Sequence, residues 1–532
     1  MALEIGKRIA KWATILTGLD YIILISTFVF SLLIIANLQP ENYGIFSIAS
    51  ATYLVITSVL QSFFVLPFIR TISRYLGKKD FTAISYVYGL STIVALISSI
   101  IIAIIHFEAS PFIAVYILGY PEVIEYMKLL SINIVTSLIA ALFRGFLLSL
   151  KSYRKLALSR LADGLFYIVG IYAMVLVYDW TVLAIVIGTD VYLLFSCLVT
   201  VFLAIAETRK RKIAFKVTFQ KTLLKETFSL GKYFIVGNSL AYIFIRWDIF
   251  VVSIIVHDSL LIGYYSFAKN LVYRVRFLFT KVNALLYPVF SEQEASSDIH
   301  TMNKLLKAGN IISLVLSTPI AIFVAIFSKE GIILASVFIE KMYAYVNASN
   351  ILAIFGLILI PYALDVAIIP YFNGIGEVDK LVKANSILLG SSLILLPVLS
   401  LYSNIIGAAI AYVTSQYLRT IYWVASAHKR VGINFKRYVN TLISSVLSII
   451  IVKVSFDTLE QLLVGLDIIV HSHISFLIIP LLLIHSLITY IFLVRTKVIT
   501  KREISILERG FGKNKLARKL IDFAEKIGRF KK

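Results

Sequence analysis

The sequence predicts an all-α polytopic membrane protein of about fourteen transmembrane helices, and three observations lead to that class. The chain of 532 residues is 59% hydrophobic and only 15% charged, with a mean hydropathy of +0.91, whereas a soluble domain is nearer half apolar and a quarter charged. Apolar stretches of about 20 residues, each long enough to cross ~30 Å of hydrocarbon, recur along the whole length. Basic residues gather in every second connection between those stretches.

Taken in order, the first spans fall near 14–37, 44–68, 83–105, 126–150, 160–178 and 181–206. A second set falls near 230–256, 260–288, 306–327, 347–371, 381–401 and 405–427, and two more near 438–455 and 474–494. The patch 109–119 reads either as an interfacial segment or as an extension of the third span. Lys7, Arg8 and Lys11 precede a long apolar run. That run exceeds the h-region of a signal peptide and no A-x-A site follows it, so an uncleaved first span is expected.

The net charge of +22 matters through its placement. Clusters occur at Arg70, Arg74, Lys78 and Lys79; at Lys151, Arg154, Lys155 and Arg160; and from Arg209 through Lys225. They continue at Lys380 and Lys383, at Lys429, Arg430, Lys436 and Arg437, and in the tail from Arg495. The alternate connections 37–43, 106–125, 178–181, 257–261, 402–404 and 456–473 contain no Lys or Arg, and the one around 328–346 carries Lys329 and Lys341. The positive-inside rule then places both termini in the cytoplasm of a cell (plasma) membrane protein. This pattern explains the basic balance without nucleic acid, because loops beside anionic headgroups are basic for topological reasons. No folded soluble domain is expected that would present a nucleic-acid groove.

Cysteine and histidine offer no cofactor or metal site. Cys197 is the single cysteine, and the seven histidines do not cluster at ligand spacing. His471 and His473 sit two apart in an expected external loop, and Asn347-Ala348-Ser349 is a sequon on the same side.

The basic segment 207–229 divides the first six spans from the next six, and the halves look like repeats. Tyr43-Gly44-Ile45-Phe46-Ser47-Ile48-Ala49 opens the second span and Ile262-Gly263-Tyr264-Tyr265-Ser266-Phe267-Ala268 the eighth. Both spans end in proline, at Leu66-Pro67-Phe68 and Tyr287-Pro288-Val289. Six spans on each side of the divider give both halves one orientation, which is the parallel repeat common in transporters.

Ionisable residues inside spans point to a cavity. The eighth span holds Lys269, Arg274, Arg276 and Lys281, and the seventh holds Arg246 and Asp248. At ~2.5–3.5 kcal/mol for each central cation, such a helix cannot face acyl chains on all sides. Lys269 and Arg276 share one helical face; Arg274 and Lys281 share another. Either the cations line a cavity that holds an anionic substrate, or Asp248 neutralises one arginine across the helix pair while Lys281 sits near the cytoplasmic surface. Asp20, Arg144, Asp163, Asp190, Asp365, Arg419 and His485 are also within spans. Asp20 and Asp163 lie toward expected cytoplasmic ends, where capping or solvation is expected. Arg144 and Asp190 lie deeper, and Asp190 is a candidate to carry a proton or sodium ion.

These residues together resemble the polysaccharide exporters of the multidrug/oligosaccharidyl-lipid/polysaccharide (MOP) superfamily, which include the O-antigen flippases. The resemblance rests on Asn42-Tyr43-Gly44, Arg246-Trp247-Asp248, Gly263 to Ala268 running to Tyr287-Pro288-Val289-Phe290-Ser291, and Ile406-Gly407-Ala408-Ala409-Ile410-Ala411. It implies two pseudo-symmetric six-helix lobes around a cationic central cavity, with a peripheral C-terminal helix pair. The corresponding domains are 1–206, a basic linker 207–229, 230–427, the pair 428–494 and a basic amphipathic tail 495–532. It further implies a flippase, not an enzyme, that moves a polyprenyl-phosphate-linked oligosaccharide from the cytoplasmic to the outer leaflet. Arg246, Lys269, Arg274, Arg276 and Arg144 would hold the phosphate head, while Asp248 and Asp190 would serve ion coupling or charge pairing with H⁺ or Na⁺.

Two other readings stay open at this point. A multidrug or cation antiporter of the same superfamily would share the repeat but normally has an acidic cavity. A membrane glycosyltransferase or polysaccharide polymerase would usually need a large external loop or an acidic metal motif, and no Asp-x-Asp occurs. In the tail, Leu516, Leu520, Phe523, Ala524 and Ile527 recur at helical spacing among Lys515, Arg518, Lys519, Lys526 and Arg529, which predicts an interfacial amphipathic helix.

Overall fold

The computed structural model describes residues 2–217, 232–276, 299–465 and 477–498. Lys281, the proline end of the second repeat, most of the basic linker, the His471/His473 loop and the tail helix lie outside the described residues.

Among the described residues there is no strand, and the helices follow the hydropathy in order. They are α1 (Ala2–Gly77), α2 (Phe81–Phe112), the short α3 (Ile124–Leu130), α4 (Ile132–Ser149), α5 (Tyr153–Tyr178), α6 (Val182–Lys210) and α7 (Lys232–Val256). Next come α8 (259–276), α9 (Ile299–Ile326), α10 (Ser328–Phe338), α11 (Ser349–Gly356) and α12 (Leu359–Gly374). The series closes with α13 (Asp379–Val431), α14 (Phe435–Gly465) and α15 (Ile478–Arg495). Eleven continuous helical stretches among the described residues are long and apolar enough to cross a membrane.

Two of those stretches are too long to be one span. A straight helix of 76 residues would run about 114 Å, over three times the ~30 Å hydrocarbon layer. The backbone breaks where the sequence places a loop. Gln39 takes a φ of 64° and a ψ of 163°, and Pro40 behind it disfavours the helical conformation at its predecessor. In α13 the break falls at Ser403 and Asn404, the latter at a φ of 49°. Asparagine tolerates that left-handed region better than most residues.

The patch 109–119 extends the third span. α2 passes through Pro111 into a π-helical stretch, Ile113–Leu118. That stretch ends at Gly119, whose φ of 79° supplies the left-handed cap that a side chain would resist.

The chain divides into two compact units, one comprising Met1–Ser266 with Leu381–Ala408, the other Phe267–Lys380 with Ala409–Lys532. This division differs from the lobes expected from the repeat, and its boundaries fall inside α8 and α13.

Within the first unit, His106 joins three elements. The Ser131 hydroxyl donates to Met127 O (3.0 Å) and bonds to His106 Nδ1 at 2.7 Å, while Nε2 bonds to the Thr52 hydroxyl at 2.9 Å. The imidazole is buried between α1, α2 and the α3–α4 junction.

In the second unit, α14 and α15 pack on α9. Ile322, Phe323 and Phe327 form one buried cluster with Ile449, Val452, Phe456 and Ile478. Polar bonds set the register of this helix pair, because apolar contact alone does not distinguish a helix from lipid. His485 lies 2.9 Å from Ser448 Oγ and 3.2 Å from Pro319 O. Lys453 reaches Glu330 of α10 at 2.8 Å.

Candidate functional site

The buried cations of α8 meet tyrosines. Lys269, Tyr273 and Arg276 stand at i, i+4 and i+7, so one stripe of the helix presents all three. Lys269 is 4% exposed, with Nζ 4.9 Å from the centre of the Tyr412 ring and 5.7 Å from that of Tyr273. The Arg276 guanidinium lies 3.8 Å from the centre of the Tyr362 ring and 5.2 Å from that of Tyr273. The three phenols form a chain. Tyr362 donates to Tyr273 at 2.8 Å, and Tyr273 bonds to Tyr412. An aromatic face stabilises a desolvated cation by ~2 kcal/mol or more, which offsets part of the cost of holding these charges away from water. Tyrosines on α12 and α13 are therefore the partner that the face of Lys269 and Arg276 requires.

Beside this stripe lies a buried ion pair that the sequence reading did not join. Asp365 of α12 accepts from Arg419, from Gln416 Nε2 at 3.0 Å and from Thr420 Oγ1 at 3.1 Å, the last three residues all belonging to α13. Both charges are buried. Arg276 is within electrostatic range of Asp365. Two guanidinium groups therefore share one carboxylate. Stacking on tyrosine lowers the energy of Arg276 without cancelling its charge.

Arg274 is half-buried on a different face from Arg276. Lys281 lies outside the described residues.

The remaining predicted residues belong to the first unit. Asp248 of α7 is fully buried and accepts from the Tyr265 hydroxyl of α8 at 2.7 Å, so this carboxylate does bond to the eighth span, through a phenol. Arg246, two residues earlier, is half-buried and forms no ion pair among the described residues. It lies within electrostatic range of the buried Tyr53, as does Asp190. Asp190 accepts from Asn133 Nδ2 at 2.7 Å. Arg144 pairs with Asp163, which also accepts from Ser196. Asp163 is thus tied to side chains of α4 and α6 inside the bundle, where a capping or solvated role was expected. Its position ten residues into α5 was the available signal. Of the two arginines in this first-unit set, Arg144 is ion-paired and Arg246 is not, among the described residues.

Among the described residues no three His, Cys, Asp or Glu side chains assemble as a metal-ligand set.

The long apolar helices define a polytopic membrane protein. The chain belongs to the polysaccharide biosynthesis protein family, whose pattern matches residues 34–335. Its fold is similar to that of the lipid II flippase MurJ in an inward closed conformation, with a TM-score of 0.69 at 17% identity, covering 90% of this chain and 98% of that one. An inward-facing multidrug resistance MATE family transporter of the MOP superfamily matches with a TM-score of 0.62 at 16% identity, over 75% of this chain and 92% of its own. A MOP superfamily transporter from Pyrococcus furiosus, described by a binding pocket of reversed polarity, matches at 0.58 and 15% identity over 79% and 96%. No curated protein matches the chain. The family and the MOP-type fold agree with the resemblance drawn from the motifs.

Proposed function

We propose that this protein flips a polyprenyl-phosphate-linked oligosaccharide across the cell membrane by alternating access, with both termini in the cytoplasm. The observation that carries this reading is the stacking of Arg276 over Tyr362 beside Lys269 and the three-tyrosine chain. An arginine stacked on an aromatic face, with the nearby Asp365 already bonded to Arg419, can bind a phosphate bidentately. The tyrosine faces and hydroxyls suit the sugar that follows the phosphate, since each ring offers an apolar plane and a polar edge. Arg246 of the seventh span is a further candidate contact. Arg274 and Arg144 remain candidate contacts, Arg144 only after release from Asp163.

Asp190 and Asp248 are the candidate sites of ion coupling. The two six-helix lobes and the peripheral pair are our reading of the repeat, supported by the matched openings of α8 and the second half of α1. The family membership and the flippase fold of MurJ support the substrate class; a catalytic role finds no support in either.

The test is a reconstituted assay with a fluorescent polyprenyl-phosphate oligosaccharide in vesicles. Wild-type protein should speed transbilayer movement, and a polyprenol-linked sugar lacking the phosphate should move no faster than in empty vesicles. Equal rates for the two lipids would overturn the cationic-head reading.

A further inference from the structure

An apolar groove of about 250 Å³ opens on the second unit, lined by Pro361 and Leu364 of α12, Tyr417, Ile421 and Ala425 of α13, and Phe435 of α14. It is larger than the ~150 Å³ apolar cavities that stay dry and admit benzene. Its outer wall is open to the membrane, because Ile421 is 60% exposed and Phe435 46% exposed.

The groove's length and its charged end say what fits it. Along α13 its lining runs from Tyr417 to Ala425, about 12 Å at ~1.5 Å per residue, close to the ~15 Å of one leaflet. It begins near the middle of the span, where Tyr417 donates to Leu357 O at 2.9 Å. It ends at Phe435, in the basic connection between α13 and α14. That connection presents Lys429 and Lys436 to solvent, and among the described residues neither ammonium group has an ion-pair partner. Their neighbour Arg430 differs, since it pairs with Glu377.

We infer that this groove holds one acyl chain of an anionic phospholipid of the surrounding leaflet, with Lys429 and Lys436 on its phosphate headgroup. Basic pockets between spans at the cytoplasmic surface attract anionic headgroups, and burying each methylene from water is favourable by ~0.8 kcal/mol. Within a bilayer the tail would otherwise rest on other tails, so the chain contact supplies shape and the two lysines supply headgroup selectivity. A tail much longer than one leaflet would overrun the groove, which disfavours the isoprenoid chain of the proposed substrate as its occupant. This inference is independent of the transport reading.

Full-length protein purified in mild detergent is incubated with equimolar phosphatidylglycerol and phosphatidylcholine of equal chain length, and retained lipid is counted by native mass spectrometry. Wild-type protein should retain phosphatidylglycerol several-fold over phosphatidylcholine. The double variant Lys429→Gln/Lys436→Gln should lose that preference, and Ala425→Trp, which fills the groove while leaving both lysines, should lose it as well. Ala425 faces the groove and is exposed, so the tryptophan has room without disturbing the core. Equal retention of both lipids by wild type would overturn the inference. So would undiminished phosphatidylglycerol preference in Ala425→Trp, which would reduce the site to surface charge alone. Displacement of phosphatidylglycerol by equimolar polyprenyl phosphate would assign the groove to the substrate's tail instead.

Discussion

Gly44 and Gly263 occupy reciprocal positions. Gly44 lies against the backbone carbonyl of Ser259, four residues before Gly263, and Gly263 lies against the carbonyl of Pro40, four residues before Gly44. A two-fold exchange of the repeated segments reproduces the contact, as in an isologous interface. The two glycines match in sequence, and each meets the carbonyl four residues before the other. A Cβ at either position would collide with main chain, which cannot rotate away.

Gly44→Ala and Gly263→Ala should each force the openings of the two helices apart, at a cost of about 1–3 kcal/mol as for other overpacked contacts. Once one glycine has been replaced the contact is already open, so the double variant should cost less than the sum of the two. Thermal unfolding of the purified variants measures this, and additive losses would show that the two contacts are independent.

Arg276→Ala and Arg246→Ala should each slow transport of the phosphate-linked oligosaccharide at least about tenfold, which corresponds to ~1.4 kcal/mol, with membrane insertion and abundance unchanged. Arg276→Lys should recover only part of the rate, because an ammonium neither stacks flat on Tyr362 nor grips phosphate bidentately. Normal transport by both alanine variants would remove these arginines from the mechanism.

Asp365→Ala should be among the most damaging substitutions in the second unit. It removes the carboxylate paired with the buried Arg419 and the acceptor for Gln416 and Thr420. Breaking a buried pair from one side costs roughly 3–5 kcal/mol, whereas removing both charges often costs far less. Asp365→Ala combined with Arg419→Met should accordingly be more stable than Asp365→Ala alone in a detergent unfolding series.

Tyr265→Phe removes the donor to Asp248 Oδ2 without changing shape. A buried carboxylate deprived of one donor loses about 1–3 kcal/mol, and Asp248→Asn in the same background should cost less than it does in the wild type. A Tyr265→Phe protein as stable as wild type would mean that the phenol contributes nothing to holding the carboxylate.

Hydropathy was enough to indicate an all-helical chain of many spans, because each apolar run must be helical to satisfy its own backbone in lipid. The breaks near residues 39 and 403 were legible for the same reason, as polar gaps between two runs. The i, i+7 placement of Lys269 and Arg276 on one face followed from helical period alone. What covers that face did not follow. Tyr362 and Tyr412 lie far along the chain from α8, and tyrosine is too common in membrane helices for pattern to single them out. Pairing was equally hidden. Arg144 with Asp163, Asp365 with Arg419 and Asp190 with Asn133 join residues on different helices, and nothing in one strand of sequence says which helices are neighbours. Matching of Gly44 with Gly263 was visible as a repeat, yet their reciprocal contact was not, since self-similarity reports common ancestry of shape and not which surfaces touch. The sequence by itself thus determined the elements, their order and the faces that lipid cannot accept. Tertiary structure alone decided which charge each face meets, because that depends on packing between segments whose order along the chain does not fix their adjacency in space.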